Sequence, residues 1–456
     1  MTGSLIVGLG REGLALARFL RDSEADVTVC DGRSAAELGT AAEAAVSLGA
    51  TLIAGNDCPD LAPYDTVYVN PAVPKEAPIV QAALLRRIPV SALTDVFFDI
   101  CPAPIVGITG SSGKTTTTTI LGLMLQAGGL VAHVGGNIGR PLLNEAMLMQ
   151  PSDWVVLEMS SFQLEWLAAS PRIAVVTNLT PNHLDRHRTM EEYAAAKLHI
   201  VQYQGKSDIA VLNAQDAYSL LFAREAGGRV LYFSLESAPS DGAVLEGEML
   251  CVRRGGDSIP VCSRQELRVP GLHNVANALA AVAAADVVGV DVDAMRDVLR
   301  SFAGVPHRLE LVRIVNGVRY YNDSIATTPD RAQAALDAVE GSVVLILGGH
   351  DKDLPWSAFC RNAMRRCRGV LLVGEAQELI SGHFAEVLAG AGGHRLSADQ
   401  IRMCGDLDHA VEAARELARP GDAVLLSPGC ASYDQFPNFE ARGARFRELV
   451  GALGGS

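Results

Sequence analysis

The stretch Thr109–Thr119, TGSSGKTTTTT, follows the apolar run Pro104–Ile108 and precedes a helix-like stretch, Ile120–Gln126. A Gly/Ser/Thr loop in that position commits the chain to strand–loop–helix geometry. Glycines without a Cβ let backbone N–H groups turn inward on phosphate oxygens at a helix N-terminus. Gly110, Ser111, Ser112, Gly113 and Thr116 would form the cradle, Lys114 would reach the terminal phosphates of a nucleoside triphosphate, and the Thr115 hydroxyl would ligate Mg²⁺. The loop is short: only Ser111 and Ser112 separate its glycines, and Ile108 stands where the first glycine of the usual spacing belongs. The competing reading, a surface turn rich in small polar residues, fits poorly between a buried strand and a helix.

Short β-branched runs alternate with Ala/Leu-rich helical patterns along the 456 residues, which predicts parallel α/β architecture. Three domains are expected: a Rossmann-like unit over 1–95, a central P-loop ATPase unit with a mostly parallel sheet over 96–304, and a C-terminal Rossmann-like unit over 305–456. Strand candidates are Ser4–Val7, Asp26–Cys30, Pro104–Ile108, Trp154–Leu157, Ile173–Thr177, Ile209–Leu212, Ser342–Leu347, Gly369–Val373 and Ala423–Leu426. A net charge of −14, from 38 basic and 52 acidic residues, argues against a nucleic-acid backbone as partner, although a local cationic site can still take a small anion. Nine cysteines without a C-x-x-C pair or zinc spacing point to reduced thiols in a cytosolic protein. The N-terminus runs straight into a strand-like segment without a basic region or cleavage site. No apolar stretch approaches the ~18 residues of a membrane span, so a cytoplasmic protein without membrane contact is expected.

Gly8, Gly10 and Gly13 form a G-x-G-x-x-G that encloses Leu9 and Arg11, and Asp31 follows 18 residues after Gly13. Such a fingerprint provides a tight turn, close approach to a pyrophosphate, and an acid for a ribose. Taken alone it points to NAD and an oxidoreductase, yet any substituted nucleoside diphosphate offers the same groups. Glu158, just after Trp154–Leu157, lies where an open parallel sheet places its ligands and could hold Mg²⁺ beside Thr115. Ser160 and Gln163 follow, and His183 sits in a polar stretch after the next strand. Lys197, on the predicted helix Glu191–Gln202, has no local feature that selects it. Asn274 and Asn277 share one helix face and suit either a purine edge or a helix cap. Arg308 and Asp323 open the third unit, where a cation and a carboxylate could close over a triphosphate.

Together TGSSGKTTT, GGNIG, LEMSSFQLE, TNLTPNHLDRH, GLHNVANALAA, PHRLE, NDS-ATTP and SPGCASYDQFPNFEARG resemble the Mur ligases, from about Ile6 to Phe446. Folylpolyglutamate synthases share the ATPase and C-terminal domains but lack the N-terminal one. The resemblance implies ATP-dependent amide formation between UDP-N-acetylmuramoyl-L-alanine and D-glutamate through an acyl phosphate, in peptidoglycan precursor synthesis by a monomeric enzyme. The alternative is the same chemistry with L-glutamate or another acidic amino acid. Gly8–Gly13, Asp31 and Arg33 would then cradle UDP, and Asn137, Ser160 and Gln163 the muramoyl-alanyl part. Thr115 and Glu158 would bind one Mg²⁺ and His183 a second. Lys197 matches a lysine carbamylated by CO₂ and counts with them as a metal ligand. Lys114, His183, Lys197 and Arg308 are the implied catalytic groups, Asn274, Asn277 and Asp323 the adenosine contacts, and Thr327, Lys352, Ser432 and Phe439 the amino-acid pocket.

Three departures stand out. Ile325 replaces a lysine expected to help bind the glutamate carboxylates, with His350 or Arg331 as nearby substitutes. Asn70-Pro-Ala72-Val-Pro74 replaces a serine-proline-glycine turn near the uridine, and Gly429 stands where alanine is frequent, a change that reads as harmless.

Overall fold

The computed structural model describes residues 3–55, 59–137, 141–182, 184–236, 239–269, 271–351, 354–390 and 396–454. Two compact units divide it, Met1–Phe302 and Ala303–Ser456.

The first unit carries two sheets. One contains β1 (Gly3–Val7), β2 (Asp26–Asp31), β3 (Thr51–Ala54), β4 (Thr66–Val69) and β5 (Val90–Ser91), all parallel in the order β3-β2-β1-β4-β5. Strand order reverses between β1 and β4, so loops after these strands open a crevice at their carboxyl ends. The second sheet contains β6 (Ile105–Thr109), β7 (Ala132–Gly136), β8 (Trp154–Glu158), β9 (Ile173–Val176), β10 (Ile209–Asn213), β11 (Arg229–Ser234), β12 (Gly242–Glu246), β13 (Met249–Arg254) and β14 (Asp257–Ser263). Its order is β14-β13-β12-β11-β10-β9-β6-β8-β7, parallel from β7 through β12 and antiparallel at the β12–β14 edge. Every residue of β6 is buried, as a central parallel strand covered on both faces requires. One core runs from Ile6, Leu16 and Leu20 through Phe97 and Leu143 to Leu157 and Val176, joining the two sheets.

The second unit holds β15 (Glu310–Val315), β16 (Val318–Asn322), β17 (Val343–Gly348), β18 (Cys367–Val373), β19 (Ile401–Gly405) and β20 (Ala423–Leu426), in the order β15-β16-β20-β17-β18-β19. All pairs are parallel except β15–β16. Helices cover both faces, over Trp356, Phe359 and Phe384 on one side and Tyr320, Val411 and Phe446 on the other.

The fold class is the expected one, three α/β sheets with a mostly parallel middle one. The predicted strands recur to within a residue or two, but the β12–β14 meander and the β15–β16 hairpin did not stand out in the sequence. Among the described residues no helix is long and apolar enough to cross a membrane, and the eight described cysteines are all free thiols.

Candidate active site

The phosphate loop leaves β6 at Thr109 and enters the helix Lys114–Ala127 through Gly113, its N-cap at φ 81°. Geometry requires both loop glycines. Gly110 sits at φ 152°, where a Cβ would lie 1.9 Å from Thr177 Oγ1, and a Cβ on Gly113 would lie 2.1 Å from Asn277 Oδ1. The segment after β9 clamps the loop. Ser111 N–H donates to Asn178 O at 2.8 Å, Ser112 N–H to Asn178 Oδ1 at 3.1 Å, and the Thr177 hydroxyl to Ser112 O at 2.6 Å. Ser111 Oγ also bonds Thr180 O at 2.9 Å and lies 3.2 Å from the Tyr193 hydroxyl. Lys114 Nζ donates to Gly110 O at 2.8 Å, which lays its ammonium across the loop, and Thr116 is half-buried in the first helical turn. The helix Leu272–Val288 packs along Lys114–Ala127 and brings Asn277 beside the loop, its Nδ2 3.5 Å from Asn274 Oδ1.

β8 ends on Glu158, which is 3% exposed. Its Oε2 accepts from the Thr115 hydroxyl at 2.7 Å and its Oε1 from Asn137 Nδ2 at 2.9 Å. A hydroxyl and a carboxylate beside a phosphate loop suit Mg²⁺, a hard cation that completes its shell with waters and substrate phosphate oxygens. Among the described residues no group of three or more His, Cys, Asp or Glu could hold a metal, so a site built from protein ligands alone is not present there. His183 lies outside the described residues.

Lys197 projects from the helix Met190–Gln202 into the same wall and is 1% exposed. Its Nζ donates to Thr109 Oγ1 at 2.9 Å and Gly110 O at 3.2 Å, and it lies 4.9 Å from the Tyr193 ring centroid. Burial first, then repulsion from Lys114, pushes its pKa well below the ordinary lysine value, against an opposing pull from Glu158. Burial therefore makes this ammonium easier to deprotonate than that of an exposed lysine.

The glycine-rich turn after β1 borders a cleft of about 710 Å³ whose walls include Gly8, Gly10, Asp31, Arg33, Asn70 and Val73. A Cβ on Gly8, at φ 96°, would lie 2.8 Å from Asn70 Cβ, and one on Gly13 would lie 2.2 Å from Gly8 O. Gly10 caps the helix Arg11–Asp22 without a side-chain hydrogen bond, and the first helical N–H groups have no intrahelical acceptor. Asp31 Oδ2 accepts from Leu9 N–H at 2.7 Å, and Arg33 grips both carboxylate oxygens at 3.0 and 2.8 Å. Burial alone would raise the Asp31 carboxyl, but the Arg33 hydrogen bonds and charge outweigh it and hold it below the usual range. With both oxygens engaged, Asp31 acts as an anchor for Arg33 more than as the ribose acceptor of an NAD site.

Two residues that sequence reasoning passed over join these sites. Gln163 completes a capping box with Ser160, whose N–H donates to Gln163 Oε1 at 2.9 Å, and its Nε2 donates to Glu12 Oε1 at 2.7 Å. Glu12 Oε2 is sealed from solvent and has no hydrogen-bond partner among the described residues, and burial pushes the Glu12 carboxyl up to about 7. Arg186 crosses to the turn after β4, bonding three of its carbonyls. An acid in a first helical turn and an arginine in a polar loop carry no sequence signal of such long-range partners.

In the second unit Asp323 is buried at the end of β16, accepting from Leu309 N–H at 3.1 Å and the Ser427 hydroxyl at 2.7 Å. Burial raises its pKa to about 6. It steadies a turn in which His307 and Leu309, flanking Arg308, both have positive φ, 63° and 43°. Non-glycine residues persist in that region only where the surroundings over-determine them. Arg442, 2% exposed, binds Ser324 Oγ and O together with the carbonyls of Cys430 and Ala431, tying the loop after β16 to the loop after β20. Those loops carry Thr327 and the buried Ser432, and Phe439 opens the next helix with its carbonyl on the Ser324 hydroxyl at 2.8 Å. Lys352 lies outside the described residues. Ile325 is half-buried; His350 pairs with Glu375 at 2.9 Å, and Arg331 is exposed. Position 429 suits its glycine. Its φ is 66° and a Cβ would lie 2.6 Å from Trp356, which is itself fully buried.

Three family descriptions match the chain: the Mur ligase MurD-like N-terminal domain over residues 2–92, the Mur ligase middle domain over 108–285, and the Mur ligase glutamate ligase domain over 307–430. A UDP-N-acetylmuramoylalanine–D-glutamate ligase of Symbiobacterium thermophilum is 44% identical over 451 residues, covering 98% of this chain and 97% of that protein. One from Acetivibrio thermocellus is 39% identical over 98% of this chain and 96% of its own length. Among solved structures, MurF from Acinetobacter baumannii aligns with a TM-score of 0.55 at 17% identity, covering 98% of this chain and 93% of that one. The UDP-N-acetylmuramate–alanine ligase MurC of Thermotoga maritima gives 0.54 at 19% identity over 99% of both chains. At that identity the two structures speak to the fold alone.

Proposed function

The chain belongs to the Mur ligase family, and from that membership we propose how its residues join D-glutamate to UDP-N-acetylmuramoylalanine with ATP, a step of peptidoglycan precursor synthesis. A carboxylate resists an amine because its carbon bears no good leaving group. Transfer of the γ-phosphoryl group to the alanyl carboxylate gives an acyl phosphate and ADP. The glutamate amine then adds to the acyl carbon, and the tetrahedral intermediate expels phosphate and releases a proton. Two anions meet in the first step, so fixed positive charge and oriented N–H groups lower its barrier most. The Gly110–Gly113 loop and Lys114 are assigned to the triphosphate, together with Thr116, Asn274 and Asn277.

Thr115 and Glu158 would hold Mg²⁺, with His183 proposed for a second ion; bound there, the metal would neutralise phosphate oxygens. Lys197 is proposed to be carbamylated. A free amine attacks CO₂, a C–N bond forms, one proton leaves, and a buried nitrogen becomes an anionic oxygen donor. The depressed pKa of the site suits that chemistry, since an ammonium has no lone pair to offer. UDP is assigned to the cleft at Gly8, Leu9, Gly10, Arg11, Gly13, Asp31 and Arg33, and the muramoyl-alanyl part to Asn137, Ser160 and Gln163. In the second unit Arg308 and Asp323 are assigned to the nucleotide, and Thr327, Lys352, Ser432 and Phe439 to glutamate. A cytoplasmic monomer completes the proposal.

The observation that carries it is the Thr115–Glu158 hydrogen bond of 2.7 Å at the mouth of the phosphate loop, a paired hydroxyl and carboxylate with the character of an Mg–nucleotide site. Phosphate release from UDP-N-acetylmuramoyl-L-alanine, ATP and Mg²⁺, with D- and L-glutamate in parallel, tests it. Turnover is expected with D-glutamate only. Turnover with L-glutamate only would reassign the pocket around Ile325, and no turnover with either would overturn the reading.

A further inference from the structure

We infer that Arg186 is a positioning residue for the UDP end of the substrate, acting through the turn at residues 70–73. This rests on the assignment of the Gly8–Asp31 cleft to UDP. Arg186 Nη1 donates to Ala72 O at 2.8 Å, and Nη2 donates to Val73 O at 2.9 Å and Pro71 O at 3.3 Å. Three consecutive carbonyls thus converge on one guanidinium. The Phe162 ring stacks against the same group, 5.0 Å from its carbon, and among the described residues no carboxylate pairs with it. A planar fork with five donors suits several acceptors at fixed angles, which a lysine ammonium cannot reproduce.

The turn it holds is a wall of the cleft. Asn70 Oδ1 accepts from Ala72 N–H at 3.0 Å, and Val73 N–H donates to Asn70 O at 2.8 Å, which closes the turn. Its Asn70 side chain lies against Gly8 and Gly10, and Val73 Cγ2 comes within 3.1 Å of the Cβ position of Gly8. Displacement of residues 70–73 therefore alters the surface offered to a pyrophosphate or nucleoside. The same polar segment clamps the phosphate loop through Thr177 and Asn178, and His187 Nε2 lies 2.9 Å from Ser161 Oγ, beside the Ser160–Gln163 cap. Thr177 and Asn178 thus brace the phosphate loop, and Arg186 braces the UDP-side turn.

The test compares wild type, Arg186→Met and Arg186→Lys in steady-state kinetics and in calorimetric binding of UDP alone. Both variants are expected to bind UDP about tenfold more weakly and to raise KM for the UDP substrate to match. KM for ATP and D-glutamate and kcat should stay within about twofold. Phe162→Leu, which loosens the guanidinium without removing it, should shift KM for the UDP substrate in the same direction by a smaller factor, and it covers the case in which the Arg186 variants fold poorly. Unchanged UDP affinity in the variants, or equal losses in every kinetic constant, overturns the inference while wild-type UDP binding stands. If wild type itself binds no UDP, the cleft assignment fails first.

Discussion

Glu12 offers a quantitative test of how the first unit is built. Its carboxyl sits in the first turn of the helix Arg11–Asp22, and Oε1 is held by Gln163 at 2.7 Å while the sealed-off Oε2 meets no donor among the described residues. A carboxylate so placed has only one oxygen solvated by the protein, and burial moves its pKa from 4.5 up to about 7, with Gln163 and Arg11 opposing. The folded state therefore holds a proton that the unfolded chain releases between these values, so stability falls as pH rises from about 4.5 to about 7. A shift of about 2.5 units at 1.36 kcal/mol per unit puts the loss near 3 kcal/mol. Glu12→Gln keeps the acceptor for Gln163 and removes the ionisation. It should match wild type at pH 4.5 and exceed it at pH 8 by about 2–3 kcal/mol, or roughly 3–5 °C in melting temperature for a unit of this size. Thermal unfolding of both proteins at the two pH values, followed by calorimetry, reads this directly. A difference in melting temperature that does not change with pH would mean that folding leaves the Glu12 pKa unshifted, and the account of its environment would be wrong.

Lys197 should make activity depend on dissolved CO₂: degassed, bicarbonate-free enzyme is expected to lose turnover and regain it with bicarbonate, while Lys197→Met should lose about 10²–10³-fold in kcat with or without it. Because its folded pKa is depressed, the unfolded chain binds the extra proton. In bicarbonate-free buffer wild-type stability should therefore rise with pH towards 10.5, a slope absent from Lys197→Met in thermal melts. Gly429→Ala should lower the stability of the second unit by about 1–3 kcal/mol through left-handed strain and contact with Trp356. Its melting transition shows this, and an unchanged transition would contradict the backbone conformation.

The parts of the site that are contiguous in sequence were legible in advance. The phosphate loop and the G-x-G-x-x-G turn declare themselves as glycine-rich turns between a strand and a helix, and Glu158 as an acid at a strand end. Lys197 did not, since what sets it apart is burial against the loop of another element, and only the resemblance to a family singled it out; Asn277 was legible as one of two asparagines on a helix face but not as a neighbour of Gly113. Asp31 was legible as an acid at a strand end but not as a partner of Arg33, a contact that depends on rotamers. Glu12, Arg186 and Arg442 were invisible for the same reason: their partners lie 151, 114 and 118 residues away. That position 429 needs its glycine was not legible, because φ and the nearness of Trp356 cannot be inferred from which residue is common at a position.

Activation of the substrate carboxylate as an acyl phosphate is the central claim, and oxygen transfer tests it most directly. UDP-N-acetylmuramoyl-L-alanine labelled with ¹⁸O in its alanyl carboxylate is incubated with ATP, Mg²⁺ and D-glutamate, and the released phosphate is analysed by mass. The account predicts one ¹⁸O per phosphate, because the carboxylate oxygen that attacks the γ-phosphorus departs with it. Unlabelled phosphate accompanying amide product would contradict the acyl phosphate and, with it, the roles assigned to Lys114, Thr115 and Glu158.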